Sequence, residues 1–282
     1  MRRCFSTARF LFVILSLCVG APRALAQNTQ PLVDPPPPSQ TQQKPFEPVV
    51  GQAGKNVVWV PTPQALVNKM LDMAKVTPAD FLMDLGSGDG RTVITAAKRG
   101  VKAMGIEYNP DMVALSIRNA AEAGVSDKAT FVKADIFESD FSKATVITLF
   151  LLPDLNLRLR PKLLEMAPGT RVVSNSFRME AWEPDQTETV SEDCVSWCTA
   201  LLWIVPAKVE GTWQTAQGDL KLSQQFQMIS GTLGSTPITG KLLGNDITFT
   251  AGNVQYSGKV NGNTIQGTIK GGQGGSWTAT KR

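Results

Sequence analysis

Within one eight-residue stretch, Asp84-Leu85-Gly86-Ser87-Gly88-Asp89-Gly90-Arg91, three glycines fall at alternate positions, and this spacing constrains the fold more than any other feature of the chain. The apolar run Phe81-Leu82-Met83 precedes it and Thr92-Val93-Ile94-Thr95-Ala96-Ala97-Lys98 follows. The pattern predicts a buried strand, a tight turn and a helix. Lacking Cβ atoms, the turn can bend sharply and let a ligand approach the main chain, and free amides opening the helix would form a mildly positive pole. Such geometry suits a nucleotide-like ligand. A dinucleotide fingerprint spaces its glycines G-x-G-x-x-G; here the third comes one residue early, and Arg91 stands in the last glycine's place. Asp84, ending the strand, is placed to accept a hydrogen bond or to pair with an amino group.

Two further carboxylates repeat the arrangement. The run Ala103-Met104-Gly105-Ile106 ends in Glu107, which is 107 − 84 = 23 residues past Asp84, and Thr130-Phe131-Val132-Lys133-Ala134 ends in Asp135. Singly, each has a plainer reading: Glu107 as a surface loop residue, Asp135 as a turn former or helix cap. Together, on successive strand ends of a βαβαβ pattern, they resemble the class I S-adenosylmethionine (SAM)-dependent methyltransferases. That resemblance implies a doubly wound, Rossmann-like α/β sheet with SAM as the methyl donor. It places Asp84, Gly86, Ser87, Gly88 and Gly90 in the donor's glycine turn, has Glu107 accept both ribose hydroxyls, and sets Asp135 against the adenine amino group.

The likeness narrows upstream. Val60-Pro61-Thr62-Pro63, a helical stripe over Gln64 to Ala74, and Gly105-Ile106-Glu107 are similar to the small lysine methyltransferases of mitochondrial inner-membrane proteins, and more distantly to the non-SET histone lysine methyltransferases. In such enzymes the loop before the first helix covers the methionyl end of SAM, which would set Thr62 near its carboxylate. Thr62 reads equally well as the N-cap of that helix with Pro63 at its first position. A fourth strand, Ala144 to Leu151, ends in Leu151-Leu152-Pro153-Asp154. Methyltransferases of nucleobases or of glutamine carry Asn/Asp-Pro-Pro-Tyr/Phe here, so the departure argues against those acceptors and leaves an amine, such as that of a protein lysine, open. Asp154 or Asn156 would orient the amine or cap the helix Leu157 to Glu165. Asn175, Phe177 and Trp182, after a fifth strand, are candidates for the far wall of the acceptor site. No catalytic residue is identified.

Four segments are expected. Residues 1–26 read as a signal peptide: Arg2, Arg3 and Arg9, an apolar core from Phe10 to Val19, and the Ala24-Leu25-Ala26 cleavage pattern. Residues 27–50 form a Pro- and Gln-rich tether. Residues 51–205 form the methyltransferase domain, and 206–282 a small antiparallel sheet or partly closed barrel, with turns at Gly244-Asn245, Gly252-Asn253 and Asn261-Gly262. Gly211-Thr212-Trp213 and Ser276-Trp277-Thr278 are expected to pair or pack as its first and last strands. This β domain would dock substrate, bind an envelope partner or cover the catalytic domain. Loss of residues 1–26 removes four arginines and no acid, so the net charge falls from +4 to 0, and no argument for nucleic-acid binding remains. Export to the periplasm or cell envelope makes a Cys194–Cys198 disulfide plausible if residues 195–197 turn. The chain has no histidine, which excludes Ser-His-Asp and Cys-His hydrolysis and leaves no metal set. Methyl transfer survives that exclusion, because its main demands are alignment and desolvation. The competing readings are a non-catalytic nucleoside- or protein-binding module and, less well supported, an NAD-dependent oxidoreductase.

Overall fold

The computed structural model describes residues 46–282. In chain order the first part contains α1 (Gln64–Met73), β1 (Phe81–Leu85), α2 (Arg91–Lys98), β2 (Lys102–Glu107), α3 (Pro110–Glu122), β3 (Ala129–Lys133), β4 (Val146–Leu149), α4 (Pro153–Leu164), β5 (Arg171–Asn175), β6 (Gln186–Thr189) and β7 (Thr199–Ile204). The sheet order is β3-β2-β1-β4-β5-β7-β6, with β1 to β5 parallel and β7 antiparallel to both β5 and β6. All four residues of β4 are buried, as a central parallel strand covered on both faces requires. One face is covered by α1, α2 and α3, which bury Leu66, Leu71, Val93 and Ala120 against it. The other carries α4 with Leu155, Leu159 and Leu163 beside Phe141 and Trp203. The chain runs from β1 outward to β3 and returns to β4 on the other side of β1. This switch point opens a crevice at the carboxyl ends of β1 and β4.

Helix boundaries correct two expectations. Pro63, not Thr62, is the N-cap of α1, and no side chain caps that end; the first intrahelical bond runs from Val67 N–H to Pro63 C=O. Helix α4 starts at Pro153 with Leu152 as its N-cap, so neither Asp154 nor Asn156 caps it. Asn156 is instead fully buried, and its Nδ2 donates to the Phe177 carbonyl at 3.1 Å. Asn109 does open α3, accepting from the Asp111 amide at 2.9 Å. The residues read as a signal peptide lie outside the described ones, as does most of the tether. The described end of that tether is docked, because Arg118 of α3 donates to the Phe46 carbonyl at 3.1 Å.

The rest of the chain forms β8 (Gly211–Thr215), β9 (Gly218–Gln225), β10 (Met228–Leu233), β11 (Thr236–Leu243), β12 (Asp246–Ala251), β13 (Val254–Asn261), β14 (Thr264–Lys270) and β15 (Gly275–Lys281). These make a closed eight-stranded up-and-down barrel, a fuller closure than the expected sheet. β15 seals it against β8, with Lys281 opposite Trp213. Alternate residues point inward, and the interior is filled by side chains such as Trp213, Leu222, Ile247, Phe249 and Trp277. Gly267 stands opposite Trp277; a Cβ there would lie 1.8 Å from the Ser257 carbonyl oxygen. The barrel packs on the α4 face of the sheet. Phe226, in the β9–β10 turn, stacks on Trp182 at 6.2 Å, Gln227 donates to the Glu183 carbonyl at 2.7 Å, and Lys241 pairs with Asp185 at 2.8 Å.

Candidate active site

At the switch point lies a cleft open to solvent, walled by the carboxyl ends of β1, β2 and β4, the turn after β3 and the segment 52–62. Thr62, Asp84, Gly86, Ser87, Gly88, Glu107 and Asp135 all line it. Gly90 stands back from these residues. It is the left-handed N-cap of α2, with φ +82°, and a Cβ there would strike Phe131 at 2.7 Å and Ser116 at 2.9 Å. Gly90 therefore serves the packing of α2 against α3 and β3.

The glycine turn keeps its amides to itself. Gly86 and Ser87 N–H donate to the Ile106 carbonyl at 2.8 and 3.0 Å, and Gly90 N–H to Ser87 C=O at 2.9 Å. Gly88 N–H donates to Glu107 Oε2 at 3.0 Å, and the Asp89 carboxylate accepts from Arg91 N–H. From α3, the Ser116 hydroxyl and the Asn119 amide hold the Gly88 and Asp89 carbonyls at 2.8 and 2.9 Å. The amides of the turn itself are therefore engaged within the fold, and of those that open α2 the Arg91 N–H is taken up by Asp89. The Ser87 hydroxyl is buried without a hydrogen-bond partner among the described residues. It sits where a Cβ on Gly105 would be, 2.4 Å away, so Gly105 is the glycine that lets the turn lie on β2.

Carboxylates dominate the polar wall. Asp84 is buried, and its Oδ1 accepts from the Thr148 hydroxyl at 2.6 Å. Burial, reinforced by the charges of Asp89 and Glu107 and opposed by the Thr148 hydrogen bond, pushes its pKa up to about 7. Glu107 also accepts from Asn109 N–H at 2.9 Å through Oε1. Each of its oxygens keeps a lone pair for a hydroxyl donor. Asp135 accepts from Phe137 N–H at 2.9 Å and from Lys55 Nζ at 2.6 Å.

Lys55 belongs to a strap, residues 46–62, of which the sequence connects only the last loop, with Thr62, to the site. An isolated bridge, Ala53 to Val58, folds it back on itself, and Trp59 lies against the glycine turn, with Nε1 2.7 Å from where a Gly88 Cβ would stand. Arg91 ties the strap down: Nη1 donates to the Thr62 carbonyl at 2.9 Å, while Nε and Nη2 grip the Asp89 carboxylate. The Thr62 hydroxyl accepts from the buried Asn175 amide at 3.3 Å. Among the expected wall residues, Asn175 thus supports Thr62, and Trp182 is fully buried between Trp203 and Phe226, away from the cleft. Phe177 does reach this end of the sheet, stacking on Phe150 at 6.1 Å. Phe150 lines the cleft with Leu149, Leu151 and Leu155, so the β4 end is apolar. Cys194 and Cys198 form a disulfide. Their loop brings Trp197 to 6.1 Å from Phe150; the cysteine spacing was a signal for that loop, but nothing local marked the tryptophan.

A family model described as the ANTKMT methyltransferase domain matches residues 84–186. The chain is 45% identical over 140 residues to a protein-lysine N-methyltransferase of Saccharolobus islandicus, a match covering 49% of this chain and 87% of that protein. It is 32% identical over 190 residues to the ATP synthase C-subunit lysine N-methyltransferase of Rattus norvegicus, covering 67% of this chain and 81% of that protein. The match to the Mus musculus protein of the same name is 40% identical and spans 47% of its length. Among solved structures, an RNA methyltransferase from Salinibacter ruber in complex with S-adenosylhomocysteine superposes with a TM-score of 0.50 at 47% identity, covering 53% of this chain and 96% of that chain.

Proposed function

This chain belongs to the SAM-dependent protein-lysine N-methyltransferases of class I, and from that membership we propose that it methylates the side-chain amine of a protein lysine, with the donor held in the cleft between the strap and the ends of β1, β2 and β3. The observation that carries the assignment of the site is the row of carboxylates Asp84, Glu107 and Asp135 along one cleft wall, beside a glycine turn whose amides are largely satisfied internally. That acceptor set fits an ammonium, ribose hydroxyls and an adenine amino group, whereas a pyrophosphate would face like charge along the same wall.

In this reading Asp84 faces the donor's amino group, Glu107 accepts from the ribose hydroxyls and Asp135 from the adenine amino group. Gly86, Ser87 and Gly88 give the main-chain surface on which the donor lies, and Thr62 closes its methionyl end. SAM supplies an activated sulfonium methyl, so the protein's tasks are alignment and desolvation. The apolar β4 end, Leu149, Phe150, Leu151 and Leu155, favours the neutral amine by disfavouring the charged form. An unprotonated nitrogen is the form that attacks.

Export accounts for residues 1–26 and agrees with the Cys194–Cys198 disulfide. The mature chain would begin near Gln27 and work in the periplasm or cell envelope, where the acceptor protein would also lie; intact-mass measurement of the secreted chain checks this. The cofactor site is tested by isothermal titration of SAM and S-adenosylhomocysteine, with Asp84→Ala and Glu107→Ala as controls. Micromolar binding lost in both variants supports the reading, and labelled methyl donor on an envelope extract then finds the acceptor. A folded protein that binds neither ligand refutes it.

A further inference from the structure

Three aromatic rings meet where the apolar end of the cleft reaches the surface. Phe150 follows β4 and lines the cleft. Phe177 stacks on it, ring centroids 6.1 Å apart and planes 18° apart. Trp197 meets the same ring at 6.1 Å and 60°. Phe150 and Phe177 are half-buried, whereas Trp197 remains 44% exposed. A tryptophan whose role was only to fill the core would be covered, as Trp182, Trp203 and Trp213 are, each at 0%.

The protein holds these rings at some conformational cost. Trp197 lies in the left-handed region, φ +53°, as do Asp193 at +52° and Ser176, beside Phe177, at +59°. Such angles in residues other than glycine persist only where the surroundings enforce them, and they gather at ligand-contacting sites. The enforcement is visible. The disulfide closes the loop Cys194–Cys198 around Trp197, and Val190 N–H bonds the Cys198 carbonyl at 2.9 Å, anchoring the loop to the β6–β7 hairpin. On the other side the Phe177 carbonyl accepts from both Asn156 Nδ2 and Ser174 Oγ, at 3.1 and 2.8 Å.

We infer that Trp197, held against Phe150 by the disulfide loop, forms with Phe150 and Phe177 the wall of the acceptor subsite, along which the lysine side chain lies with its nitrogen toward the donor. The inference rests on the proposed lysine acceptor. Its chemistry is that of aromatic recognition of alkylammonium groups at the mouth of the subsite: the ring faces attract the arriving cation, which gives up its proton only deeper in, beside Leu149, Leu151 and Leu155, and they attract the product cation again once methyl groups have replaced N–H. The methylene stem of lysine packs on the same rings. Glu192 and Asp193 precede the disulfide in this loop and are exposed, so the rim carries negative charge toward a cationic side chain. Trp197 is a specificity-determining residue in this account; the chemical step does not pass through it.

The test reads binding, so it does not depend on turnover. Nα-acetyl-Nε-trimethyl-lysinamide, a product-like cation, is titrated by calorimetry into the full chain saturated with S-adenosylhomocysteine. The wild-type protein is expected to bind it, Trp197→Ala to bind it about tenfold more weakly, and Trp197→Phe to stay within about threefold of wild type, because an aromatic face remains. Cys194→Ser combined with Cys198→Ser is expected to weaken the cation with little change in affinity for S-adenosylhomocysteine, which also serves as the control for folding. Equal affinity in wild type and Trp197→Ala overturns the inference, and so does absence of cation binding to the wild type. Failure of the wild type to bind S-adenosylhomocysteine speaks instead against the proposed function.

Discussion

Lys55 Nζ stands 2.6 Å from Asp135 Oδ2 and 4.1 Å from the centre of the Tyr108 ring, so a strap lysine occupies the carboxylate assigned to the adenine amino group. The hydrogen bond raises the Lys55 pKa and lowers that of Asp135, which keeps both charged. Ion pairs this exposed are weak and screened by salt, so a ligand can compete with this one. Lys55→Ala is expected to tighten SAM by about threefold at low ionic strength, with a smaller gain at about 0.5 M salt, while Asp135→Ala weakens it. Titrations of both variants at two salt concentrations decide the matter. Weaker binding in Lys55→Ala would instead make the lysine part of the closed cover over the donor.

Asp84 gives a pH dependence of definite sign. Its folded pKa, about 7, lies above the ordinary 3.8, so the ligand-free protein binds the proton more tightly than the unfolded chain does. Stability from this group is full below about pH 4 and is lost as pH rises toward 7. The melting temperature of the free protein should fall across that window, and Asp84→Asn should flatten the fall. A cationic group docking at Asp84 favours the carboxylate and lowers its pKa again. SAM binding at about pH 6.5 is therefore expected to release up to about one proton, read as a difference in apparent enthalpy between phosphate and Tris buffers. Equal apparent enthalpies in the two buffers would mean that no proton is released, and would separate Asp84 from the donor's amino group.

What could be read in advance was local. The strand, glycine turn and helix at residues 81–98, the carboxylates at strand ends and the stripe on α1 follow from periodicity and from residues that punctuate the chain. The rest lies where contacts run far along the sequence. The sequence cannot show that Phe131 and Ser116 fill the space beside Gly90. Thr62 reads both as a cap and as a cover for the donor; the fold removes the cap, and its hydroxyl is engaged 113 residues away by Asn175. Trp182 is a candidate for the acceptor wall from its place after a strand, but an aromatic there has no local signature of its partner, which is Phe226 of the barrel. Lys55 and Trp59 lie in a segment without periodicity, so only the folded chain shows what they cover.

Gly105 is the residue on which the glycine turn depends without belonging to it. A Cβ there would stand 2.4 Å from Ser87 Oγ and 2.6 Å from a Phe131 ring carbon, and neither can yield inside a packed layer without moving the turn. Gly105→Ala should destabilise the protein by about 1–3 kcal/mol and weaken SAM more than overall stability explains, because the turn is displaced at the cleft. Chemical denaturation beside a SAM titration checks both. A fully stable variant with normal affinity would mean the turn is looser than its hydrogen bonds indicate.

The barrel is expected to be a structural necessity for the catalytic domain. Trp182, fully buried, stacks against Phe226 of the barrel on one side and lies 6.0 Å from Trp203 of β7 on the other, and Trp203 Nε1 donates to the Trp182 carbonyl at 2.6 Å. A chain ending at Val205 would expose this apolar face together with the α4 side of the sheet, and a patch of that kind promotes aggregation. Trp182→Ala in the full chain should cost about 3–5 kcal/mol, and Phe226→Ala should cost less, since Phe226 is only partly buried whereas Trp182 is fully so. If the two domains are coupled in this way, thermal unfolding of the full chain is a single transition that both variants shift as a whole. Two separate transitions, with the barrel's unmoved by Trp182→Ala, would show that the barrel folds independently and is free for a role of its own.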